Sequence, residues 1–304
     1  MIEKFKVSKE GIKEAESEDK ADWINLVEPT AAEISELNTK FNISQFPINS
    51  LKDIEEIPLI EHYDSTILII SRIATKYVGE LDFSTVPLGI FIANKKIFTI
   101  CFFKNDLLNL MKEQKFKFTT SDFLLKLLLK SSRLYLSYLK VINAEMYKTE
   151  KSLEKSQKNE EIIKLLDIEK SLVYFTTSLK ADQLLLEKIS RMEKIIKTKK
   201  ETELITDVID ENRQAIETTS IYSDILSSTM DAFASVIANN LNIVIKMLAS
   251  ITIIIALPTL IASIYGMNVE LPFQHSVFAF WIVMLMSSIL AVSGVIIFWR
   301  YKLF

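Results

Sequence analysis

Ile251-Thr252-Ile253-Ile254-Ile255-Ala256-Leu257-Pro258-Thr259-Leu260-Ile261-Ala262-Ser263-Ile264-Tyr265-Gly266-Met267-Asn268 carries no charge, and its reading decides the fold. Followed back to Ile243, the apolar part reaches about 22 residues, with Lys246 its one charge, at the leading edge. A second run, Val277 to Trp299, has about 23 residues and no charge. Each exceeds the roughly 20 residues a helix needs to cross the hydrocarbon core of a bilayer. Between them, residues 265–276 contain no Lys or Arg and open with the uncharged Tyr265-Gly266-Met267-Asn268. A neutral polar tetrapeptide at the mouth of a two-span hairpin points to a pore entrance rather than a catalytic centre. Lys246 opens the first span, while Arg300 and Lys302 close the second. By the bias of basic residues toward the cytoplasm, both chain ends are expected inside and the loop outside, in a cell membrane. Trp299 and Tyr301 suit the aromatic belt of an interface.

Charge falls away sharply along the chain. Of 75 charged residues in 304, only Lys246, Glu270, Arg300 and Lys302 lie after Leu241. The first four-fifths therefore reads as water-soluble protein and the last fifth as membrane segment. A net charge of -3 leaves no basic excess for neutralising phosphates, which argues against nucleic-acid binding. The single cysteine, Cys101, lies in the apolar run Lys96 to Phe102 and reads as a buried small hydrophobe. With two histidines and one cysteine, no nucleophile–base pair or metal cluster is evident, so an enzyme is not expected and no organic cofactor is implied. The chain opens Met1-Ile2-Glu3-Lys4-Phe5-Lys6, and no secretory signal is expected.

Residues 1–118 mix strand and helix signals, as in a small α/β domain. Trp23 to Val27 reads as a strand, and Pro29-Thr30 leads into a helix over Ala31 to Leu37, with Thr30 as cap and Glu33 three residues on. Ile67–Ile73, Val86–Ala93 and Ile97–Phe103 are β-rich runs bounded by turn residues such as Gly79 and Asn94-Lys95. No glycine-rich phosphate loop is present among the five glycines. Gly and Pro are absent from Ile90 to Leu257, which predicts long helices over about 119–158 and 160–199, turning at the polar cluster Glu154 to Glu160. A third helix is expected over about 203–264, roughly 90 Å at 1.5 Å per residue, with an apolar stripe through Ile205, Val208, Ile209, Ile216, Ile225, Leu226, Met230, Phe233, Ile237 and Leu241. Such a helix makes sense as a stalk running into the first span, followed by the loop 265–276, the second span 277–299 and a tail 300–304.

Within the first span, Asn242, Ile245, Ala249, Thr252, Ala256, Thr259 and Ser263 follow a helical repeat and form a small, polar face. That face suits either a pore lining or ordinary helix–helix packing. It lacks carboxylates, which disfavours a site that strips a divalent ion of its water. Two spans cannot enclose a pathway alone, so a pore demands several copies. In the outer loop, Glu270 is either a cation concentrator or a solvated carboxylate, and His275 reads as an ordinary loop residue.

Tyr265-Gly266-Met267-Asn268, between a first span and a final second span, resembles the signature of CorA-type magnesium channels, and the likeness covers nearly the whole chain. Trp23-Ile24-Asn25-Leu26 with Pro29-Thr30 and Glu33-Ile34 is similar to the family's amino-terminal strand and helix. Leu51-Lys52-Asp53-Ile54 with Ile60-Glu61 resembles a second block, and Asp207-Val208-Ile209-Asp210 falls where the family's stalk carries an Asp pair. Asn242 to Leu248 resembles the start of its pore helix. The resemblance implies an α+β membrane protein assembled as a homopentameric funnel, with a cytoplasmic α/β domain, a helical stalk continuous with the first span, and a carboxy-terminal transmembrane hairpin. It implies a selectivity filter at Gly266, Met267 and Asn268, with Asn242 as a second polar ring, Ile245 and Leu248 as a hydrophobic gate, and Thr252 and Thr259 facing the pore. Met267 is expected to pack the turn, and Gly266 to let the chain turn tightly, with positive φ accessible to it. It implies Mg2+ both as cargo and as a cytoplasmic ligand bridging acids of neighbouring subunits: Asp53 and Asp207, with Asp210 and Glu145 as further candidates. Lys52 departs from the family, which often has a second acid there.

A ZntB-like zinc transporter is the related alternative; that branch typically varies the middle residue of the tripeptide, where this chain keeps Met267. A membrane-anchored scaffold without a pore is the alternative from another class.

Overall fold

A computed structural model describes residues 2–41, 43–63, 66–78, 81–156, 159–273 and 275–301. The turn expected at Gly79, the tip of the helical hairpin at Gln157-Lys158 and the basic residue Lys302 lie outside the described residues. The chain divides into two compact units, Met1–Ser227 and Ser228–Phe304.

The first unit is built on a seven-stranded sheet: β1 (Ile2–Ser8), β2 (Gly11–Glu14), β3 (Trp23–Val27), β4 (Leu59–Tyr63), β5 (Thr66–Val78), β6 (Leu81–Ala93) and β7 (Lys96–Cys101), in the spatial order β2-β1-β3-β7-β6-β5-β4. Among the described residues β3 and β7 run parallel and the other neighbouring strands antiparallel. The Asn94-Lys95 turn joins β6 to β7 with both residues at positive φ, 51° and 61°, as a tight hairpin turn of this hand requires. Helices α1 (Ala31–Phe41) and α2 (Gln45–Ser50) belong to the core of one sheet face, where Ile24, Leu26, Ile34, Leu37, Ile48, Leu51, Phe91 and Phe98 are buried together. On the other side Trp23 stacks between Phe5 (4.7 Å) and Phe123 (5.1 Å). Because both faces are covered, β3 is buried at four consecutive positions, Trp23 to Leu26, instead of alternating. The indole N–H of Trp23 donates to Thr99 Oγ1 (2.8 Å), whose hydroxyl donates to Asn25 Oδ1 (2.8 Å). These buried polar atoms are thereby satisfied.

The capping box at Thr30 forms as the sequence predicts: Glu33 Oε2 accepts from Thr30 N (2.8 Å) and Glu33 N donates to Thr30 Oγ1 (3.3 Å). Cys101 is fully buried, and that burial pushes its thiol up to about 12, so it stays protonated and inert at neutral pH.

Gly89, in the middle of β6, has a packing reason to be glycine. A Cβ there would stand 2.4 Å from Leu51 Cδ1 and 3.2 Å from Phe91 Cε2. Leu51 is itself fully buried, so it must repack against its core neighbours to make room. Gly89→Ala should therefore lower the stability of this unit by about 1–3 kcal/mol, read as an earlier denaturant midpoint. An unchanged midpoint would mean that Leu51 yields freely.

After α3 (Leu107–Lys112) come α4 (Thr120–Ser156), α5 (Asn159–Ser190) and α6 (Lys199–Tyr265), an unbroken helix of 67 residues with Pro258 inside it. The helix expected to reach 199 stops at Ser190, and the next starts at Lys199 rather than 203. A second capping box sets the start of α6. Glu201 Oε2 accepts from Thr198 N (2.9 Å) and Lys197 N (2.8 Å), while Glu201 N donates to Thr198 Oγ1 (3.3 Å).

The buried stripe on the first part of α6 also differs from expectation. It runs through Ile205, Val208, Asn212, Ala215, Thr219 and Leu226, so two of its positions are polar. Asn212 Nδ2 donates to Leu179 O (3.1 Å) and Gln183 Oε1 (2.9 Å) on α5, and Thr219 Oγ1 donates to Ala215 O (2.7 Å). Of the later apolar positions, Ile225, Ile237 and Leu241 are exposed in the single chain.

Candidate ion-conduction and metal-sensing sites

The second unit holds the end of α6 and α7 (Ala279–Arg300), the latter starting two residues after the expected Val277. Both helices are long and apolar enough to cross a membrane. Only 6% of each apolar window is buried, whereas the core helix of a soluble domain is mostly covered, so these are surfaces for lipid or for other protein copies. The two helices meet at Gly294, the buried residue of α7, where a Cβ would lie 3.5 Å from Ile254 Cγ1 and Leu257 Cδ1.

Helix α6 ends at Tyr265, directly before Gly266-Met267-Asn268. Gly266 N donates to Ala262 O (2.9 Å) and Ser263 O (3.2 Å), and Met267 N to Ile264 O (3.2 Å), winding up the last turn. Gly266 does not use the left-handed region open to it; in the loop that conformation falls to Phe273 (φ 63°). What glycine provides at 266 is clearance, since a Cβ would approach Ala262 O to 3.3 Å. Met267 is 56% exposed and so does not pack the turn within one chain. Tyr265 OH donates to Pro272 O (3.4 Å), tying the helix end to the far side of the loop. Asn268 and Glu270 are exposed.

Asn242, Ile245, Leu248, Thr252 and Thr259 are all exposed and share one side of α6, within about 120° of arc at 3.6 residues per turn. Thr252 Oγ1 donates to Leu248 O (2.8 Å) and Thr259 Oγ1 to Ile255 O (2.9 Å). With their protons committed to the backbone, both hydroxyls present only acceptor lone pairs outward. That polarity suits the outward-pointing hydrogens of a hydrated cation.

The acidic candidates stand apart in the single chain. Asp53 lies exposed on the turn after α2, Asp207 is exposed on α6, and Asp210 pairs with Arg213 (3.6 Å). Glu145, on α4, lines a cleft of about 310 Å3 with Asp82, Lys148 and Asp167. Burial first, and the charge of Asp82 second, push its carboxyl above the usual range. Among the described residues no three His, Cys, Asp or Glu side chains gather to hold a metal, so one chain does not build a metal centre from these four.

Sequence reasoning missed a buried polar knot in the first unit. Arg72, 8% exposed in β5, donates through its guanidinium to Ile54 O, Glu56 O, Thr85 O, Thr85 Oγ1 and Ser178 Oγ. Its backbone N donates to Asp182 Oδ1 (3.2 Å), and Tyr135 OH donates to its carbonyl (3.1 Å). Asp182 is enclosed, and burial pushes its carboxyl up to about 7 against the opposing pull of the Arg72 N–H, the Ser71 hydroxyl and the Arg72 charge. Beside it lies a cavity of about 10 Å3, lined also by Ser71, Tyr135 and Asn212. The available signal was a lone arginine inside the apolar run Ile67–Ile73.

An α/β domain followed by a long helix that ends in one exposed apolar span, and then a second such span, has the make-up of the two-span class of membrane proteins. The sequence pattern of the CorA-like Mg2+ transporter protein family matches residues 18–302. The chain is 31% identical over 287 residues to the cobalt/magnesium transport protein CorA of Methanocaldococcus jannaschii, covering 91% of this chain and 90% of that one. A solved structure described as the complete CorA magnesium transporter of the same organism superposes with a TM-score of 0.84 at 27% identity, over 98% of this chain and 96% of the other. The cytoplasmic domain of ZntB from Vibrio parahaemolyticus matches with a TM-score of 0.59 at 10% identity, over 78% of this chain and 98% of that one, which shows a shared fold alone. The chain belongs to the family of CorA-like Mg2+ transporter proteins.

Proposed function

We propose that the chain is a Mg2+ channel, passing Co2+ and Ni2+ as well, that works as a homopentamer in the cell membrane and is closed by cytoplasmic Mg2+. The observation that carries this reading is Gly266-Met267-Asn268 at the end of α6, in the loop between two exposed spans of a CorA family member. In this reading residues 1–118 and 119–202 are cytoplasmic, 203–264 form stalk and first span, 265–276 the outer loop, 277–299 the second span and 300–304 a cytoplasmic tail.

Mg2+ holds its waters tightly and demands octahedral geometry. A ring of Asn268 amide oxygens accepts hydrogen bonds from that intact hydration shell and so selects by size and charge. Glu270 raises the local cation concentration outside. Thr259 and Thr252 continue the acceptor surface inward, Asn242 forms a second polar ring, and Ile245 with Leu248 closes the path by dewetting. The membrane potential drives entry, at about 2.3 kcal/mol per charge per 100 mV and roughly twice that for a divalent ion. Inside, Mg2+ bridging Asp53 and Asp207 of neighbouring subunits, with Asp210 and Glu145 as further acids, holds the closed assembly; when it leaves, the apposed carboxylates repel.

Ion entry into proteoliposomes tests the reading. Mg2+ entering faster than Zn2+ at equal concentration is the expected result. Faster Zn2+ entry overturns it in favour of zinc transport, and entry of neither ion leaves a membrane-anchored scaffold.

A further inference from the structure

We propose that Arg72 is a positioning residue for the metal-sensing carboxylate of Asp53, holding the turn that carries it in register with the sheet and α5. The inference rests on the reading of Asp53 as a regulatory ligand. The turn begins where α2 ends, and its own bonds are local: Asp53 N donates to Ser50 O (2.9 Å), Glu56 N to Asp53 O (3.2 Å), and Glu55 N to Asp53 Oδ1 (2.9 Å). Local bonds shape a turn but do not fix where it sits on the domain. Arg72 supplies that second anchor. Its Nη1 donates to Ile54 O (2.7 Å) and Glu56 O (2.9 Å), carbonyls one and three residues beyond Asp53. Nη2 donates to Thr85 O (3.0 Å) and Thr85 Oγ1 (2.8 Å) on β6, and Nε to Ser178 Oγ (2.9 Å) on α5. Thr85 Oγ1 and Ser178 Oγ lie 2.8 Å apart, closing the set.

The acceptors of the guanidinium are carbonyls and hydroxyls. Three of these acceptors are main-chain carbonyls and none is a carboxylate, so it is the planar fork that does the holding. Only a residue with five N–H groups in fixed directions reaches the turn, the strand and the helix at once. An ion shared between carboxylates of two subunits needs each one placed to within about 0.5 Å. Leu51, buried just before Asp53, fixes one end of the turn, and Arg72 fixes the other, with Asp53 exposed between them.

The test is Mg2+ current in inside-out patches containing the full-length chain, with bath Mg2+ titrated on the cytoplasmic face. Arg72→Lys keeps the charge and loses the fork. The bath Mg2+ that halves the current is expected to rise about 10-fold, a typical coupling between sites, while current at the lowest bath Mg2+ stays at the wild-type level. Asp53→Asn should raise the half-inhibiting concentration by itself, and Arg72→Lys should add nothing in that background. Should Asp53→Asn shift the titration while Arg72→Lys does not, or should the two shifts add, the positioning role is overturned and the regulatory reading of Asp53 stands. Should Asp53→Asn leave the titration unmoved, the regulatory reading fails and takes the positioning role with it. If Arg72→Lys is lost from the membrane, Ser178→Ala decides, since it removes one acceptor at the α5 end alone. A shift in its half-inhibiting concentration supports the role, and an unmoved titration overturns it.

Discussion

Replacing Asn268 with alanine brings Mg2+ entry into proteoliposomes down to the leak of empty vesicles. Under the channel reading, the amide oxygen of Asn268 is what a water of the hydrated ion meets first at the mouth. Alanine offers no acceptor, and the neighbouring Gly266 and Met267 have no polar side chain to replace it. A hydrogen bond to water polarised by a divalent cation resembles one to a charged group, worth about 1.5–3 kcal/mol. Losing two such bonds around a ring already removes at least about 100-fold in ion occupancy, since 1.4 kcal/mol is a factor of ten. Asn268→Gln, which keeps the amide one methylene further out, should retain partial entry. Met267→Leu should change the rate less than Asn268→Ala, because a thioether is a poor partner for a hard cation. Wild-type entry rates in Asn268→Ala would remove the amide from the mechanism.

The second large effect concerns stability and not conduction. Asp182→Asn makes the protein more stable at pH 8, by about 2–4 kcal/mol, and close to neutral at pH 4. The carboxyl of Asp182 ionises near 3.8 in the unfolded chain and at about 7 in the folded one. The folded state therefore binds the extra proton, and stability falls as pH rises through the interval between these values. Above about pH 7 the full penalty of a buried carboxylate is present, and below about pH 4 it is absent. The groups facing Asp182 soften that penalty without cancelling it: the Arg72 N–H, the Ser71 hydroxyl and the more distant guanidinium charge. The Tyr135 phenol stays neutral, held well above its usual range by burial. Asparagine keeps an oxygen to accept from Arg72 N and carries no charge at any pH. Thermal unfolding followed by tryptophan fluorescence at pH 4 and pH 8 reads the difference. Equal stabilisation at both values would mean that the effect comes from packing and not from a proton.

The Arg72–Asp182 knot also explains where the sequence misleads about the fold. β5 was expected over Ile67–Ile73 but continues to Val78, and β6 was expected from Val86 but starts at Leu81. The added ends contain Thr75, Ser84 and Thr85, polar residues that look like loop and are buried here. Their partners are distant in sequence: Thr75 Oγ1 donates to Lys104 O (2.8 Å), and Thr85 meets Arg72 and Ser178. Periodicity cannot reveal a strand whose polar side chains are satisfied from another element. β3, α1 and the two apolar spans are legible because their signals are local: an apolar run, a capping box, a length. The break before α6 also has a local signal, Thr198 followed three residues later by Glu201, but it is easily overlooked where glycine and proline are missing. The site divides the same way. The tetrapeptide and its place between two spans can be read directly, whereas no spacing relates Asp53 to Asp207, and no metal-binding cluster among the described residues joins them in the single chain.

Proline has no N–H, so Pro258 leaves the carbonyl of Ile254 without its rung in the helical ladder. Ile254 is also one of the two residues against which Gly294 rests. The level of α6 that lacks a rung is thus packed against α7, at the residue where α7 has no side chain to hold it off. A tilt of α6 about this level would press directly on α7, so the close approach at Gly294 couples the two spans.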